Sequence, residues 1–296
     1  MFRKMPKFEY FRPGSFEEAI RILSEHKGQI RPLAGGTDLF IDMKVKGASW
    51  KNVLDLKGIP DSEFIRETHG RIEIGSLTNL RSVEISPLIK KKIPLLAAAA
   101  GTIGSVQIRN QGTIGGNLCN AAPSADTAPA LLCLGAKAEV IDESGISEIP
   151  LETFFLGPGR TVLGETALLK KILIPLPPPN TAGVYFKESP RRAMDLAVAG
   201  VSCLLTLDLT GGKCVDCRIA LGAVAPTPIR ARKAESVLTG GEITEEIIAA
   251  AGETAGKETS PISDVRGSAE FRREMVRVFV RKGLGELYTG MGVNLV

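Results

Sequence analysis

The chain has 296 residues, enough for one or two domains with substantial cores. Its formal net charge of +4 is dispersed, without a basic block interleaved with aromatic residues, which argues against nucleic-acid binding. No apolar run approaches ~20 residues and the N-terminus has no signal-peptide core, so we expect a cytoplasmic protein without a membrane span. The five cysteines are odd in number and widely spaced, which does not suggest a disulfide framework.

The N-terminal region is predicted to deliver a glycine-rich loop. Ser15 begins a capping box, and the apolar residues that follow it share one helical face. A short strand over residues 30–33 should follow this helix. It leads into the first glycine loop, which comprises Leu33, Ala34, Gly35, Gly36, Thr37 and Asp38.

The second glycine segment lies at residues 112–117 and contains Thr113, Ile114, Gly115, Gly116 and Asn117. Tandem glycines allow a turn to adopt positive φ and leave backbone N–H groups unshielded, and successive N–H groups form an anion site. Before it, we predict a strand over 71–75, a helix capped by Thr78 that runs through Glu84, and an alanine-rich helix over 95–101. Two such segments suggest one extended diphosphate ligand held between them.

Each glycine segment also fits an ordinary turn when it is taken alone. Neither matches the P-loop, because no Lys-Ser or Lys-Thr follows the glycines, and neither has the Rossmann Gly-x-Gly-x-x-Gly pattern. Spacing alone therefore indicates anion-binding loops and leaves the ligand open.

The remainder of the chain is predicted to form an α+β arrangement in two domains. Ser124 and Asp126 are expected to serve as cap and first-turn acid of a helix over ~125–134. Strands follow over 137–142 and 168–174, and the proline-rich residues 175–180 mark the domain boundary. We therefore divide the chain into residues 1–176 and 181–296. In the second domain we predict strands over 199–210 and 217–224, then helices over 231–238, 244–256 and 268–281.

The sequence offers no evident catalytic or metal-binding group. His26 and His69 lie far from the cysteines in sequence, and the single Cys-x-x-Cys, Cys214 to Cys217, has no second pair. No nucleophile elbow is present. Such a chain suits a protein whose cofactor carries the chemistry.

The run from Gln107 to Asn117 resembles the FAD-binding segment of the molybdenum hydroxylase family, whose flavin subunits serve xanthine dehydrogenase and carbon monoxide dehydrogenase. The residues from Ala34 to Asp38 resemble the family's other pyrophosphate loop. Residues 186–195 resemble the segment that follows its flavin domain, and the likeness extends from about Phe8 to about Leu287. The resemblance implies an α+β fold: a vanillyl-alcohol-oxidase/PCMH-type FAD-binding domain of two subdomains, then a smaller domain with an antiparallel sheet and helices.

The resemblance also implies roles for individual residues toward FAD. The four tandem glycines would present N–H groups to the pyrophosphate, Thr37 and Thr113 hydroxyls, and Asn117 an amide donor. Asp126 either accepts from a ribose or ribityl hydroxyl or caps its helix. Leu169 would form an apolar wall against the flavin, and Lys187 would be a cation near its oxygen-rich end; for Lys187 an exposed lysine on a linker strand is the alternative.

The family's flavin subunit passes electrons between a small iron–sulfur subunit and an acceptor, with NAD as one candidate, while a large molybdopterin subunit acts on the substrate. Two rivals stay open: a self-contained flavin oxidase or dehydrogenase, and an assembly subunit without flavin. The segment from Ile103 to Gln111 is expected to lie near the flavin. Within it, Arg109 either faces the iron–sulfur subunit or braces the loop through backbone carbonyls.

Overall fold

The computed structural model describes residues 4–208 and 212–291. Within these residues, no helix combines the length and the apolar content that crossing a membrane requires. The described chain contains four sheets with helices packed between and against them.

The first sheet is parallel and has three strands in the order β1-β3-β2. Its strands are β1 (Glu9–Phe11), β2 (Ile30–Leu33) and β3 (Asn52–Asp55). Helix α1 (Phe16–Glu25) connects the first two, and Ser15 caps it by accepting a hydrogen bond from the Glu18 amide. The Ser15 cap and the buried face predicted for this helix are confirmed, whereas the Glu18 carboxylate accepts from the amide of Gly14 rather than from that of Ser15. Beyond β2 the chain forms α2 (Leu39–Ile41), which continues as one π-helical turn over Asp42–Lys46.

The second sheet is antiparallel and has five strands in the order β4-β5-β10-β6-β7. Its strands are β4 (Ile65–Thr68), β5 (Arg71–Gly75), β6 (Lys137–Asp142), β7 (Gly145–Pro150) and β10 (Leu168–Pro175). A small hairpin, β8 (Phe155–Gly157) and β9 (Arg160–Thr161), precedes β10.

Six short helices lie between β5 and β6. They are α3 (Leu80–Ile85), α4 (Pro87–Lys92), α5 (Pro94–Gly101), α6 (Val106–Gln111), α7 (Ile114–Cys119) and α8 (Thr127–Cys133). Their buried leucine, isoleucine and alanine side chains form the largest core cluster together with the five-stranded sheet. Because each helix is short, tertiary packing rather than intrinsic helix propensity holds it in place.

The second part of the chain contains a four-stranded antiparallel sheet in the order β11-β12-β13-β14. The strands are β11 (Thr181–Glu188), β12 (Ala199–Leu207), β13 (Cys214–Gly222) and β14 (Ile229–Arg230). Helices α9 (Arg232–Leu238), α10 (Glu245–Lys257) and α11 (Ala269–Gly290) follow them. The order of strands before helices confirms the predicted α+β arrangement. Cys214 and Cys217 are buried in β13 as free thiols.

Several predicted elements need correction. Asn79, not Thr78, caps α3, because the Thr78 hydroxyl bonds the backbone of Phe64 instead. Helix α8 begins after Asp126, whose side chain makes no capping hydrogen bond. Strands β1, β4, β7, β8, β9, β11 and β14 were absent from the sequence prediction. The predicted strand over 199–210 ends at Leu207, and Leu209 and Thr210 lie outside the described residues.

Candidate functional site

The first glycine loop follows β2 and is built for close backbone approach. A Cβ placed on Gly35 would lie 2.1 Å from the carbonyl oxygen of Gln111, so no other residue fits there. Gly36 has a φ of +76°, which L-amino acids rarely adopt. Glycine is therefore required at both positions, once for space and once for conformation.

The second glycine segment is a helix start rather than a turn, which corrects the sequence prediction. Thr113 is the N-cap of α7 and its hydroxyl oxygen accepts from the amide of Gly116 at 3.0 Å. The amide of Gly115 donates to the carbonyl oxygen of Ser76 at 2.9 Å. A Cβ on Gly115 would lie 2.5 Å from that same oxygen. The amides of Gly115 and Gly116 therefore already donate hydrogen bonds within the chain. The absence of a side chain at these positions allows close packing against Ser76 and Thr113.

The two glycine segments contact each other. A Cβ on Gly116 would lie 3.7 Å from Cβ of Ala34, and one on Gly112 would lie 3.6 Å from the Thr37 hydroxyl oxygen. Together with the contact between Gly35 and Gln111, these distances show that two segments about 80 residues apart in sequence lie side by side.

Several hydrogen-bond donors at this junction are free to bind an anion. Among the residues that the structure describes, the amides of Gly35, Gly36 and Thr37 donate to no other group. The Asn117 carboxamide oxygen accepts from the Thr127 hydroxyl at 2.5 Å, which turns the amide nitrogen toward other partners. Adjacent free N–H groups form the concave donor set that phosphate oxygens require. The residues present therefore fit a diphosphate.

A cavity of about 1080 Å³ runs past this junction, large enough for a dinucleotide. Most of the residues predicted from the sequence line it: Ala34, Gly35, Gly36, Thr37, Asp38, Ile103, Thr113, Gly115, Gly116, Asn117, Asp126 and Leu169. Three predicted residues do not line it. Leu33 and Ile114 are buried in the core beneath the glycine segments, and Lys187 lies behind Asp126.

Asp126 and Lys187 form a buried ion pair in the cavity wall. Lys187 Nζ lies 2.9 Å from Asp126 Oδ2 and 3.0 Å from the carbonyl oxygen of Thr102. The Tyr185 hydroxyl donates to Asp126 Oδ1 at 2.7 Å. Burial raises the pKa of Asp126, while Lys187 and Tyr185 act in the opposite direction. Neither helix capping by Asp126 nor an exposed Lys187 is therefore correct.

Arg109 is a brace. Its side chain is buried, its Nε lies 2.7 Å from Glu84 Oε2, and its Nη1 donates to the carbonyl oxygen of Ile103 at 2.8 Å. Burial acts to raise the pKa of Glu84, but hydrogen bonds from Arg109 and Arg81 hold it below its usual value. The guanidinium is occupied inside the fold, which favours the brace over the docking alternative for Arg109.

The cavity also has lining residues that the sequence did not indicate. They are Arg31, Trp50, Ser76, Leu156, Arg160, Met194, Asp195, Leu196 and Arg266, among others. Met194 and Asp195 are the last residues of the segment 186–195, which resembles the family, so the resemblance could have indicated them. The others come from distant parts of the chain, and only the tertiary fold brings them to the cavity. Among described residues, no group of three or more His, Cys, Asp or Glu could hold a metal ion.

Two family models match the chain. Residues 6–177 match the FAD binding domain in molybdopterin dehydrogenase, and residues 184–287 match the CO dehydrogenase flavoprotein C-terminal domain.

Full-length relatives agree with these matches. The carbon monoxide dehydrogenase medium chain of Afipia carboxidovorans is 34% identical over 277 residues, which cover 94% of this chain and 95% of the relative. The xanthine dehydrogenase FAD-binding subunit of Escherichia coli O157:H7 is 31% identical over 288 residues, which cover 97% and 98%.

A solved structure of carbon monoxide dehydrogenase from Hydrogenophaga pseudoflava superposes with a TM-score of 0.93 at 32% identity. The likeness covers 97% of this chain and 99% of that one. It confirms the PCMH-type FAD-binding fold with a following α+β domain that the resemblance implied. This chain belongs to the family of FAD-binding medium subunits of the molybdopterin dehydrogenases.

Proposed function

We propose that this chain is the flavin relay of a multi-subunit molybdenum hydroxylase. In this role it holds one FAD and passes electrons between a small iron–sulfur subunit and an acceptor, while a large molybdopterin subunit converts the substrate. The observation that carries the proposal is the junction of the two glycine segments, where free amides line a cavity of about 1080 Å³. NAD is one candidate acceptor.

The chain's residues would hold and orient the cofactor. The amides of Gly35, Gly36 and Thr37 would donate to the pyrophosphate, with the Thr113 hydroxyl and the Asn117 amide beside them. Leu169 would pack against the flavin ring. FAD, when bound, supplies the ability to exchange electrons with one partner singly and with another in pairs.

The Asp126–Lys187 pair supplies a polar group to the cavity wall. Its ammonium already binds a carboxylate and a carbonyl, so the pair as a whole is close to neutral. Asp126 lines the cavity and Lys187 stands behind it. We propose that Asp126 accepts from a ribityl hydroxyl, while Lys187 keeps this carboxylate ionised and oriented.

The relay role has a direct test in the intact complex. The chain is coexpressed with candidate molybdopterin and cysteine-rich iron–sulfur proteins from the same genome, and the complex is isolated through a tag on this chain. Electrons should pass from the substrate to the acceptor only in complexes that contain FAD. An isolated FAD-loaded chain that oxidises a small substrate rapidly, without partners, would overturn the relay and favour a self-contained enzyme.

A further inference from the structure

One part of the cavity lies away from the glycine junction. It is lined by Gly28, Ile30, Arg31, Pro32 and Trp50. Trp50 is the only tryptophan of the chain, and the guanidinium carbon of Arg31 lies 5.7 Å from the centroid of its ring. Arg31 makes no ion pair with any residue that the structure describes. A flat aromatic face and an uncommitted cation thus stand together on a cavity wall.

The strand register places this part at a definite distance from the glycine junction. β2 and β3 are parallel, with Ile30 level with Asn52 and Leu33 level with Asp55. The first glycine loop leaves the carboxyl end of β2, whereas Trp50 precedes the amino end of β3. Three strand steps, roughly 10 Å, separate these two levels. An adenosine attached to a diphosphate bridges a gap of that order.

Another part of the cavity has a different chemistry. Met194 and Leu196 line it with large, half-exposed apolar side chains, and Leu169 contributes a buried apolar side chain to the wall. The amide of Met194 donates to the carbonyl oxygen of Gly104 at 3.2 Å, which ties the second part of the chain to the first. Large apolar side chains suit a three-ring system.

We propose that Trp50 and Arg31 form the adenine sub-site of the cofactor cavity. The Arg31 guanidinium lies over one face of the indole, and the purine stacks on the other face. The isoalloxazine then occupies the Leu169–Met194 part. This inference rests on the proposed function, because it assigns one end of the same FAD.

The single tryptophan makes a direct measurement possible in the unmodified chain. The full-length protein, freed of nucleotide, is titrated with ADP while tryptophan emission is followed. ADP carries the adenine and the diphosphate but does not absorb at the emission wavelength, so quenching reports contact with the indole. We expect saturable quenching by ADP.

Variants assign the contact to these two side chains. Trp50→Ala should weaken ADP binding roughly 5- to 150-fold by calorimetry, the range expected for one lost base stack, and leave FMN affinity unchanged. Trp50→Phe keeps an aromatic face and should retain most of the ADP affinity. Arg31→Met should weaken ADP in the same direction. Arg21→Met, an exposed arginine of α1 that does not line the cavity, is the matched control.

Each contrary result has a separate meaning. If the parent binds FAD but Trp50→Ala binds ADP as tightly as the parent, the adenine sub-site is wrong and the flavoprotein function stands. If Trp50→Ala weakens FMN and spares ADP, the isoalloxazine lies at Trp50 and the assigned direction is overturned. If the folded parent binds neither FAD nor ADP, the proposed function itself fails.

Discussion

The glycines of the two segments divide into those whose amides are free to bind a ligand and those whose missing side chains let two segments pack closely. The sequence pointed to all four tandem glycines as amide donors. The structure leaves the amides of Gly35 and Gly36 free, whereas those of Gly115 and Gly116 donate to Ser76 and Thr113. A tandem-glycine pattern cannot distinguish these cases, because the partner Ser76 comes from a different part of the chain. The sequence therefore predicted that glycine is needed at these four positions, but not the physical reason for it at each position.

Gly35→Ala tests the junction. The added Cβ would lie 2.1 Å from the Gln111 carbonyl, so the two segments must separate. We expect loss of FAD retention and a decrease of about 1–3 kcal/mol in unfolding free energy, as for other overpacked sites. Gly157→Ala is the control, because nothing lies within 4 Å of its added Cβ. Equal flavin content in both variants would show that the junction does not bind the cofactor.

Lys187→Met tests the buried pair. It leaves the Asp126 carboxylate buried without its cation, which typically costs about 3–5 kcal/mol. The pKa of Asp126 is already raised by burial and should rise further. The destabilisation should therefore shrink as the pH falls, because protonation removes the unpaired charge.

Chemical denaturation at several pH values measures this effect. The double variant Lys187→Met/Asp126→Asn should recover much of the lost stability at neutral pH. A Lys187→Met chain that is as stable as the parent at neutral pH would contradict the buried pair.

Secondary-structure elements were predictable where the signal is local. Ser15 caps the helix that the sequence assigned to it, and the helices predicted to start at residues 244 and 268 are capped by Thr244 and Ser268, because capping involves only the next three residues. Strand β1 was missed because its partner β3 lies far away in sequence. Strand β11 was missed although its partner β12 is the next strand of the chain. The burial of Lys187 on β11 could not be foreseen, because its partners Asp126 and Thr102 come from the first part of the chain.

Strand β5 is held by a cluster around Glu73 whose effect depends on pH. Burial acts to raise the pKa of Glu73, but hydrogen bonds from Arg66, Lys171 and Arg71 prevail and lower it from 4.5 to about 2. A lowered carboxyl pKa contributes stability above pH 4.5, which is lost as the pH falls toward 2. The shift corresponds to about 3 kcal/mol.

Acid titration of the unfolding free energy checks this contribution. Glu73→Gln should be less stable than the parent at neutral pH and lose less stability between pH 4.5 and 2. Since β5 leads directly to Ser76 on the cavity wall, acid should also weaken FAD retention in the parent. Parallel acid profiles for the two proteins would rule out Glu73 as a stabilising carboxylate.

Helix α6 is tied to the cavity by Arg109. Arg109→Ala removes the hydrogen bond to the Ile103 carbonyl and the ion pair with Glu84, so FAD retention should fall while partner subunits still copurify. Arg81→Ala is the control, because Arg81 also pairs with Glu84 but is more exposed and does not bond Ile103. Normal FAD content with loss of the iron–sulfur subunit would revive the docking role.

The whole molecule is organised around one cavity that draws its walls from both parts of the chain. Its two glycine segments were recognisable in sequence because tandem glycines form a distinct pattern. The segments that resemble the family also occur in the family's order along the chain. Its ends were not, since Trp50, Leu156 and Leu196 have ordinary sequence surroundings and meet only through the fold. The division into domains at residues 176 and 181 stays a prediction, as does the cytoplasmic location.

The most direct test of the account is the amount of FAD bound per chain. The purified full-length protein is denatured with acid, and the released flavin is separated and quantified against protein concentration. We predict non-covalent FAD at about one molecule per chain, as a single diphosphate site at the glycine junction implies. A folded, soluble chain that carries no FAD and takes up none when it is added would contradict the account.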